Sequence, residues 1–360
     1  SRRLGPLPNG CRSCVKGRKL VLFVTGLCPR SCDYCPLSEQ KKDKDVIFAN
    51  ERPVQKDSDM IKEARVSSAH GAGFTGGDPL IKLERTLHYI RLLKKEFGHG
   101  FHIHLYTPLA LVQEDTLRKL HEAGLDEIRF HPDFDKPEEW DRLNAAQDFD
   151  WDYGIEIPAI PEKREQTIRL IDLVQDHIRF LNINELEISD TNAMRTTYEP
   201  KDMISYAVKG SEELALELME HCRDKSFNVH YCTTTLKDRI QMANRIKLRA
   251  KNVARAFDKV TEEGLLLRAA VYLDGLAPGK DYKKKKQKVD KEATIKKLED
   301  MKEKIRKKFS IKEEQISLDK KNLRLLTRSA IAKRIARQYT TAIVEEYPTW
   351  DGFTVNLEMQ

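Results

Sequence analysis

The sequence predicts an α/β fold in which parallel strands form part of a βα barrel, followed by a small C-terminal α+β domain. Between residues 19 and 232, short apolar runs alternate with amphipathic segments such as Leu83–Phe97. This alternation is typical of a parallel sheet with crossover helices, and about six such units would close only part of an eight-stranded barrel. Gly, Pro or polar residues follow several of the apolar runs, where βα barrels build their sites.

Seven apolar runs in this region are predicted to be strands. They cover residues 19–25, 72–75, 101–106, 127–130, 153–160, 181–188 and 229–231. Beyond residue 232 the pattern predicts a long basic helix over 236–257 and a hairpin over 260–272. Helices near 290–309 and 326–338 and an extended segment near 350–358 should complete the C-terminal domain.

The predicted organisation has four parts. They are an N-terminal cysteine segment (1–18), the barrel (19–234), the basic helix and hairpin (235–274) and a small basic α+β domain (275–360).

The composition of the 360 residues is that of a folded chain with a sizeable core, since 40% of the residues are hydrophobic. The net charge of +7 equals the surplus of Lys and Arg over Asp and Glu within residues 281–310. No apolar run reaches about 18 residues, so we expect no membrane span and a cytoplasmic location.

Cysteine spacing carries most of the functional information. Five of the seven cysteines fall within 25 residues, a density that favours metal or redox chemistry over a disulfide framework. Cys28, Cys32 and Cys35 form a C-x3-C-x2-C motif directly after the first predicted strand. Three thiolates can hold a four-iron cluster and leave one iron open to a ligand that is not protein.

This motif, in the loop after the first strand of a partial barrel, resembles the signature of the radical S-adenosylmethionine (SAM) superfamily, whose core is a TIM-like (βα)6 barrel. The resemblance implies that Cys28, Cys32 and Cys35 hold a [4Fe–4S] cluster whose open iron binds SAM. It also implies that Tyr34 packs on the adenine. Within the superfamily, the sequence is most similar to archaeal proteins related to pyruvate formate-lyase activating enzyme.

A second motif agrees with this resemblance. Gly76, Gly77 and Asp78, followed by a proline, resemble the Gly-Gly-Glu-Pro motif that receives the methionine amino group, with Asp in place of Glu. Ile157 and Glu162 partly match another pattern of the family, although both of its glycines are replaced. Polar residues at the ends of later strands are candidates to reach the carboxylate or ribose of SAM, namely His104, Arg129, His131 and Ser189.

The alternative for Cys28, Cys32 and Cys35 is a structural zinc site. Zinc usually takes four ligands supplied by pairs of C-x2-C or C-x2-C and H-x3-5-H. The Gly-Gly-Asp-Pro motif, one βα unit later in the sequence, has no role in such a site.

A second metal site is predicted at Cys11, Cys14 and Cys232. Cys11 and Cys14 form a C-x2-C pair before the barrel, and Cys232 ends its last strand. They could hold a second Fe–S cluster, or a zinc completed by His230 or Cys222. The alternatives are idle thiols in the terminal segment and, for Cys222, a buried core cysteine.

Three functions remain open from sequence. The first is a radical SAM enzyme that modifies a macromolecule and takes electrons from a low-potential, ferredoxin- or flavodoxin-like donor. RNA is the favoured substrate because of the basic stretches 236–257 and 281–310. The second is a glycyl-radical-enzyme activase or another protein- or peptide-modifying radical SAM enzyme, and the third is a non-catalytic Fe–S or zinc protein. Against RNA, Leu298, Met301 and Ile305 form an apolar stripe whose lysines would be a solvated face.

Overall fold

The computed structural model describes residues 2–279 and 281–360, with every side chain except that of Lys283. Residues 1 and 280, which fall in the predicted N-terminal segment and C-terminal domain, lie outside the described residues. The chain forms two compact units, 1–245 and 246–360.

Parallel strands dominate the first unit, as predicted. The parallel run, in spatial order, is β10 (Asn228–Cys232), β9 (Phe180–Glu185), β8 (Asp152–Ala159), β7 (Glu127–His131), β6 (His102–Pro108), β5 (Gly71–Thr75) and β2 (Lys19–Phe23). Antiparallel strands extend both edges: β1 (Arg2–Leu4) pairs with β10, and β3 (Phe48–Ala49) and β4 (Arg52–Pro53) follow β2. Because no pairing joins the two edges among the described residues, the barrel is partial, and the predicted fold class is confirmed.

Helices of the first unit connect and cover these strands. They are α1 (Asn9–Val15), α2 (Asp57–Val66), α3 (Leu83–Phe97), α4 (Glu114–Glu122), α5 (Arg164–Val174) and α6 (Ser211–His221). A π-helical turn over Leu236–Met242 continues into α7 (Ala243–Val253), most of which belongs to the second unit. No described helix has the length and apolarity that a membrane crossing requires.

The second unit is an antiparallel sheet with helices, so an α+β unit follows the barrel. Its strands are β11 (Lys259–Val260), β12 (Leu266–Tyr272), β13 (Ile316–Asp319), β14 (Arg324–Thr327), β15 (Thr340–Glu346) and β16 (Thr354–Met359). Its helices are α8 (Tyr282–Lys288), α9 (Lys291–Phe309) and α10 (Ser329–Ile335).

Two predicted details differ in the second unit. The hairpin predicted over 260–272 belongs to this unit's sheet, because β12 pairs with β14 on one side and β15 on the other. The helix predicted over 326–338 is shorter, since residues 324–327 form β14. On α9, Leu298, Met301 and Ile305 are buried in the core, so the lysines of this helix lie on its solvated face.

Glu346 should be important for the stability of the second unit. It is 2% exposed and accepts hydrogen bonds from Arg324 Nη2 (2.5 Å) and the Thr354 hydroxyl (3.0 Å). We expect Glu346→Ala to lower the free energy of unfolding by about 1–3 kcal/mol, because it leaves the buried Nη2 of Arg324 without an acceptor, while Arg324 Nε keeps Asp319 (3.0 Å). Urea unfolding measures this, with the exposed Glu358→Ala as the control within about 0.5 kcal/mol. Equal losses in the two variants would contradict the prediction.

Candidate active site

The loop that carries Cys28, Cys32 and Cys35 runs from the end of β2 to β3 and is held from two sides. On one side, Arg30 donates to the backbone oxygen of His131 (2.9 Å) and pairs with Asp133 (3.2 Å), both at the end of β7. On the other, the Thr191 hydroxyl donates to the Leu37 oxygen (2.6 Å), and Asn192 Nδ2 donates to the Tyr34 oxygen (3.2 Å). These bonds fix the loop over the carboxyl ends of the strands.

The loop closes one side of a cavity of about 700 Å³. All three cysteines of the motif line the cavity, together with Tyr34 and the Gly76–Gly77 turn. The two motifs singled out from sequence therefore meet at one cavity at the carboxyl end of the parallel sheet, where βα barrels place their chemistry.

Burial keeps two of these thiols protonated in the absence of metal. It raises the pKa of Cys28 to about 11 and also raises the pKa of Cys32, against the opposing charge of Arg30. A metal ligand must be the thiolate, so metal binding here should release protons.

Glycine is required where the Gly76–Gly77 turn packs against the cysteine loop. Gly77 N donates to the Thr25 oxygen (2.8 Å), and Asp78 N donates to the Leu27 oxygen (2.8 Å). A Cβ atom at Gly77 would overlap the backbone oxygens of Gly26 and Leu27. The close backbone approach therefore depends on the missing side chain.

Asp78 is fully buried and has one carboxylate oxygen to spare. Oδ1 accepts hydrogen bonds from Leu80 N (3.0 Å) and the Thr107 hydroxyl (2.9 Å). Oδ2 is buried and has no hydrogen-bond partner among the described residues. Burial raises the pKa of Asp78 to about 6, so an ammonium group placed at Oδ2 would stabilise the carboxylate.

Tyr34 is oriented by His131, the last residue of β7. His131 Nδ1–H donates to the Glu156 backbone oxygen (2.9 Å), which leaves Nε2 to accept from the Tyr34 hydroxyl (2.9 Å). Burial lowers the pKa of His131 to about 4, so the ring is neutral and this pattern persists at neutral pH. Both aromatic rings line the cavity.

Beneath the cavity, the inner face of the strands is polar and charged. Arg129 is 2% exposed and pairs with Glu127 and with Glu156 (2.6 Å). Burial would raise the pKa of Glu156, but Arg129 and the amides of Asn184 and Asn182 lower it to about 2. The carboxylate is therefore ionised across the physiological range.

Helix α1 lies against this polar layer. Gly10 N donates to Glu127 Oε2 (3.0 Å), and a Cβ atom at Gly10 would come within 2.5 Å of His104 Nδ1 and 2.7 Å of Arg129 Nη2. His104 in turn is 2.6 Å from Lys19 Nζ through Nε2. His104 and Arg129, expected at the SAM site, thus belong to the layer under α1 and are not among the cavity-lining residues.

The structure does not bring three further expected residues to the cavity. Ile157 is fully buried in the hydrophobic core, because its neighbours Glu156 and Pro158 take the inward positions of β8. Glu162 is exposed on a short 3₁₀ helix after β8, and Ser189 bonds to Thr191 in the loop after β9.

Several cavity residues were absent from the predicted site. They are Lys19, Tyr106, Glu156, Asn184 and Lys237. All but Lys237 lie on strands, and the alternation of polar with apolar residues along those strands is the signal that could have identified them.

Cys14 lines the same cavity, whereas Cys11 and Cys232 are buried beside it. Cys222 is 1% exposed in the hydrophobic core, in agreement with the core alternative.

Among the described residues, no three His, Cys, Asp or Glu side chains are grouped so as to hold one metal ion. The thiols of the C-x3-C-x2-C motif fit a multi-iron cluster better than zinc, because a cluster binds each thiolate on a different iron.

We expect Gly77→Ala to displace the cysteine loop and to reduce the iron retained after anaerobic purification by at least half. The reason is the overlap of the new methyl group with two backbone oxygens, which cannot move independently of the loop. Gly100→Ala is the matched control, because a Cβ atom there has no neighbour within 4 Å. Equal iron in both variants would contradict the role given to Gly77.

A family model described as the radical SAM superfamily matches residues 22–183. A Methanocaldococcus jannaschii protein, provisionally named a glycyl-radical enzyme activating enzyme, is 40% identical over an alignment of 361 positions that covers 97% of this chain and 92% of the relative.

Two solved structures are similar at low identity. A radical S-adenosylmethionine methyltransferase from Kitasatospora setae is 12% identical over 54% of this chain and 41% of its own, with a TM-score of 0.38. Methylornithine synthase is 14% identical over 59% of this chain and 68% of its own, with a TM-score of 0.39.

The family model covers the part of the first unit that contains both the C-x3-C-x2-C motif and the Gly-Gly-Asp-Pro motif. The archaeal relative covers almost the whole sequence. The predicted resemblance is thereby confirmed, and this chain belongs to the radical SAM superfamily of enzymes.

Proposed function

We propose that this chain cleaves SAM reductively and uses the resulting radical to abstract a hydrogen atom from a glycine residue of a partner protein. The observation that carries the proposal is the meeting of the three motif thiols and the Gly76–Gly77 turn at one cavity. The name of the 40% identical relative supports a glycyl-radical enzyme as the partner.

When bound, the [4Fe–4S] cluster and SAM supply a one-electron cleavage of the bond between sulfur and C5′, which yields methionine and a 5′-deoxyadenosyl radical. The electron comes from a low-potential donor of the ferredoxin or flavodoxin class. Transfer of a hydrogen atom from the glycine Cα to this radical would give 5′-deoxyadenosine and would leave the unpaired electron on the glycine.

The protein's own residues hold and aim these groups. Cys28, Cys32 and Cys35 are the cluster ligands, and Arg30 lies close enough to Cys32 to offset negative charge there. Asp78 Oδ2 is available to the amino group of SAM, while Leu80 and Thr107 fix the other oxygen. Tyr34 offers a ring surface to the adenine.

Charge inside the chain argues against RNA as the substrate. Several cations of the basic helix are engaged by the protein: Lys237 pairs with Glu187, and Arg249 Nε donates to the Pro348 oxygen. The lysines of α9 cover the solvated side of a helix whose other side is core. None of the relatives reported above is named as acting on RNA, so RNA is kept as an outcome of the test.

Asp78→Asn should raise the dissociation constant of SAM roughly tenfold to hundredfold, the loss expected for a charge-assisted hydrogen bond worth about 1.5–3 kcal/mol. The amide can keep the bonds to Leu80 and Thr107 through its oxygen, so the fold should survive. Anaerobic equilibrium dialysis at pH 8, where a carboxyl of pKa about 6 is ionised, measures the change. The exposed Glu162→Gln should stay within about twofold, and equal weakening in both variants would contradict the assignment.

The substrate assignment is tested with isotopes. The source organism is grown with α-deuterated glycine, and its protein extract is incubated with the reduced enzyme and SAM. We expect the 5′-deoxyadenosine that forms to contain deuterium. A glycyl-radical signal should appear in electron paramagnetic resonance (EPR) spectra at the same time. Substitution of Cys28, Cys32 and Cys35 by Ala should abolish both.

Three results would count against the proposal. Deuterium transfer only from labelled RNA would replace the partner protein by RNA. Zinc in place of iron at the motif, or no 5′-deoxyadenosine from any extract, would favour a non-catalytic protein.

A further inference from the structure

Three cysteines outside the C-x3-C-x2-C motif meet in the first unit, although they come from opposite ends of its sequence. Cys11 and Cys14 lie one turn apart on α1, and Cys232 is the last residue of β10. Cys14 lines the cavity described above, while Cys11 and Cys232 are 7% and 8% exposed. None of the three forms a disulfide.

Two amide side chains connect these thiols. The Cys14 thiol donates to Gln241 Oε1 (2.9 Å), and Gln241 Nε2 is 3.7 Å from Cys232 Sγ. Asn182 Nδ2 donates to Cys11 Sγ (3.5 Å). A single amide group therefore separates Cys14 from Cys232.

A buried histidine, His230, lies next to these thiols in the fold. His230 is opposite Asn182 in the β9–β10 register and shares a face of β10 with Cys232, two residues away. It is 3% exposed, and neither ring nitrogen has a hydrogen-bond partner among the described residues. Asn182 Oδ1 also lacks one. Each such buried group costs about 1–3 kcal/mol, so the cluster of them requires an explanation.

We infer that Cys11, Cys14, Cys232 and His230 hold a second iron–sulfur cluster, facing the same cavity as the first. Thiolates are the usual ligands of such clusters, and an imidazole can replace one of them. The cluster would use the imidazole of His230, for which the described residues offer no hydrogen-bond partner. This inference does not depend on the substrate of the enzyme.

An iron–sulfur cluster fits these residues better than zinc. Tetrahedral zinc with Zn–S bonds of about 2.3 Å would bring its ligand atoms within about 4 Å of one another. The amide of Gln241 stands between Cys14 and Cys232, and no described group of His, Cys, Asp or Glu is set for one ion. A four-iron cluster tolerates the wider spacing, because its ligands bind separate irons.

Nearby cations suit a cluster bound by thiolates. Burial raises the pKa of the Cys11 and Cys232 thiols, and the charges of Arg129 and Lys19 near Cys11 and of Lys237 near Cys232 act in the opposite direction. The two carboxylates that act on Cys11, Glu156 and Glu127, are both paired with Arg129.

Iron and acid-labile sulfide per chain test the inference after anaerobic reconstitution. Wild type should hold about eight irons, and both the Cys11→Ala/Cys14→Ala variant and the Cys28→Ala/Cys32→Ala/Cys35→Ala variant about four. The matched control is Cys222→Ala, a buried cysteine of the core that should keep about eight.

In the Cys28→Ala/Cys32→Ala/Cys35→Ala variant, any iron that remains must be bound at the second site, and α1 is unchanged. Its four irons should give an EPR signal on reduction that SAM does not alter, and His230→Ala in that background should change the signal. No iron in this variant would overturn the inference, as would wild-type iron in Cys11→Ala/Cys14→Ala. One zinc in place of the second set of irons would overturn it as well. A cluster found in this variant would support the inference even if the intact enzyme formed no 5′-deoxyadenosine, so the two proposals can fail separately.

Discussion

The buried guanidinium of Arg129 is the interaction on which the rest of the site depends. It is almost without solvent contact and is balanced by Glu127 and Glu156 on neighbouring positions of the inner face. Removing one member of such a pair leaves a buried charge and costs about 3–5 kcal/mol. Glu127 also accepts from Gly10 and thereby fixes α1. The Glu156 carboxylate accepts hydrogen bonds from Asn182 and Asn184, and the Glu156 backbone oxygen accepts one from His131.

Residues next to this polar layer fix the positions of the groups that line the cavity. His131 orients Tyr34, and the strand end beyond His131 anchors the cysteine loop through Arg30. The turn at Gly76–Gly77 holds the same loop from β5. The motif thiols thus sit on a loop that is long in sequence but tied to three strand ends, which is the arrangement a preorganised cofactor site needs. When a cofactor supplies the radical, the protein must orient the radical toward its substrate and exclude competing reactants, and it needs acid or base groups less.

The positions of the parallel strands could be predicted because each is a short apolar run, often followed by turn residues, and the motif could be predicted from its cysteine spacing. Roles of individual inward residues were harder to predict, because they depend on register. His104 was placed at a strand end, but β6 continues to Pro108 and leaves it in the layer under α1. Ile157 was matched to a family pattern, yet alternation along β8 puts Glu156 and Pro158 inside. In the second unit, β13 and β14 have only four residues each, so any alternation of apolar and polar residues is too short to identify them as strands.

The most direct test of the account is electron–nuclear double resonance on the reduced wild-type protein with SAM labelled by ¹⁵N at its amino group. The account predicts a ¹⁵N coupling to a four-iron cluster, because Cys28, Cys32 and Cys35 supply only three ligands and leave one iron for SAM. The coupling should be absent when these cysteines are replaced by Ala. A reduced wild-type cluster that shows no coupling to bound SAM would contradict the central claim.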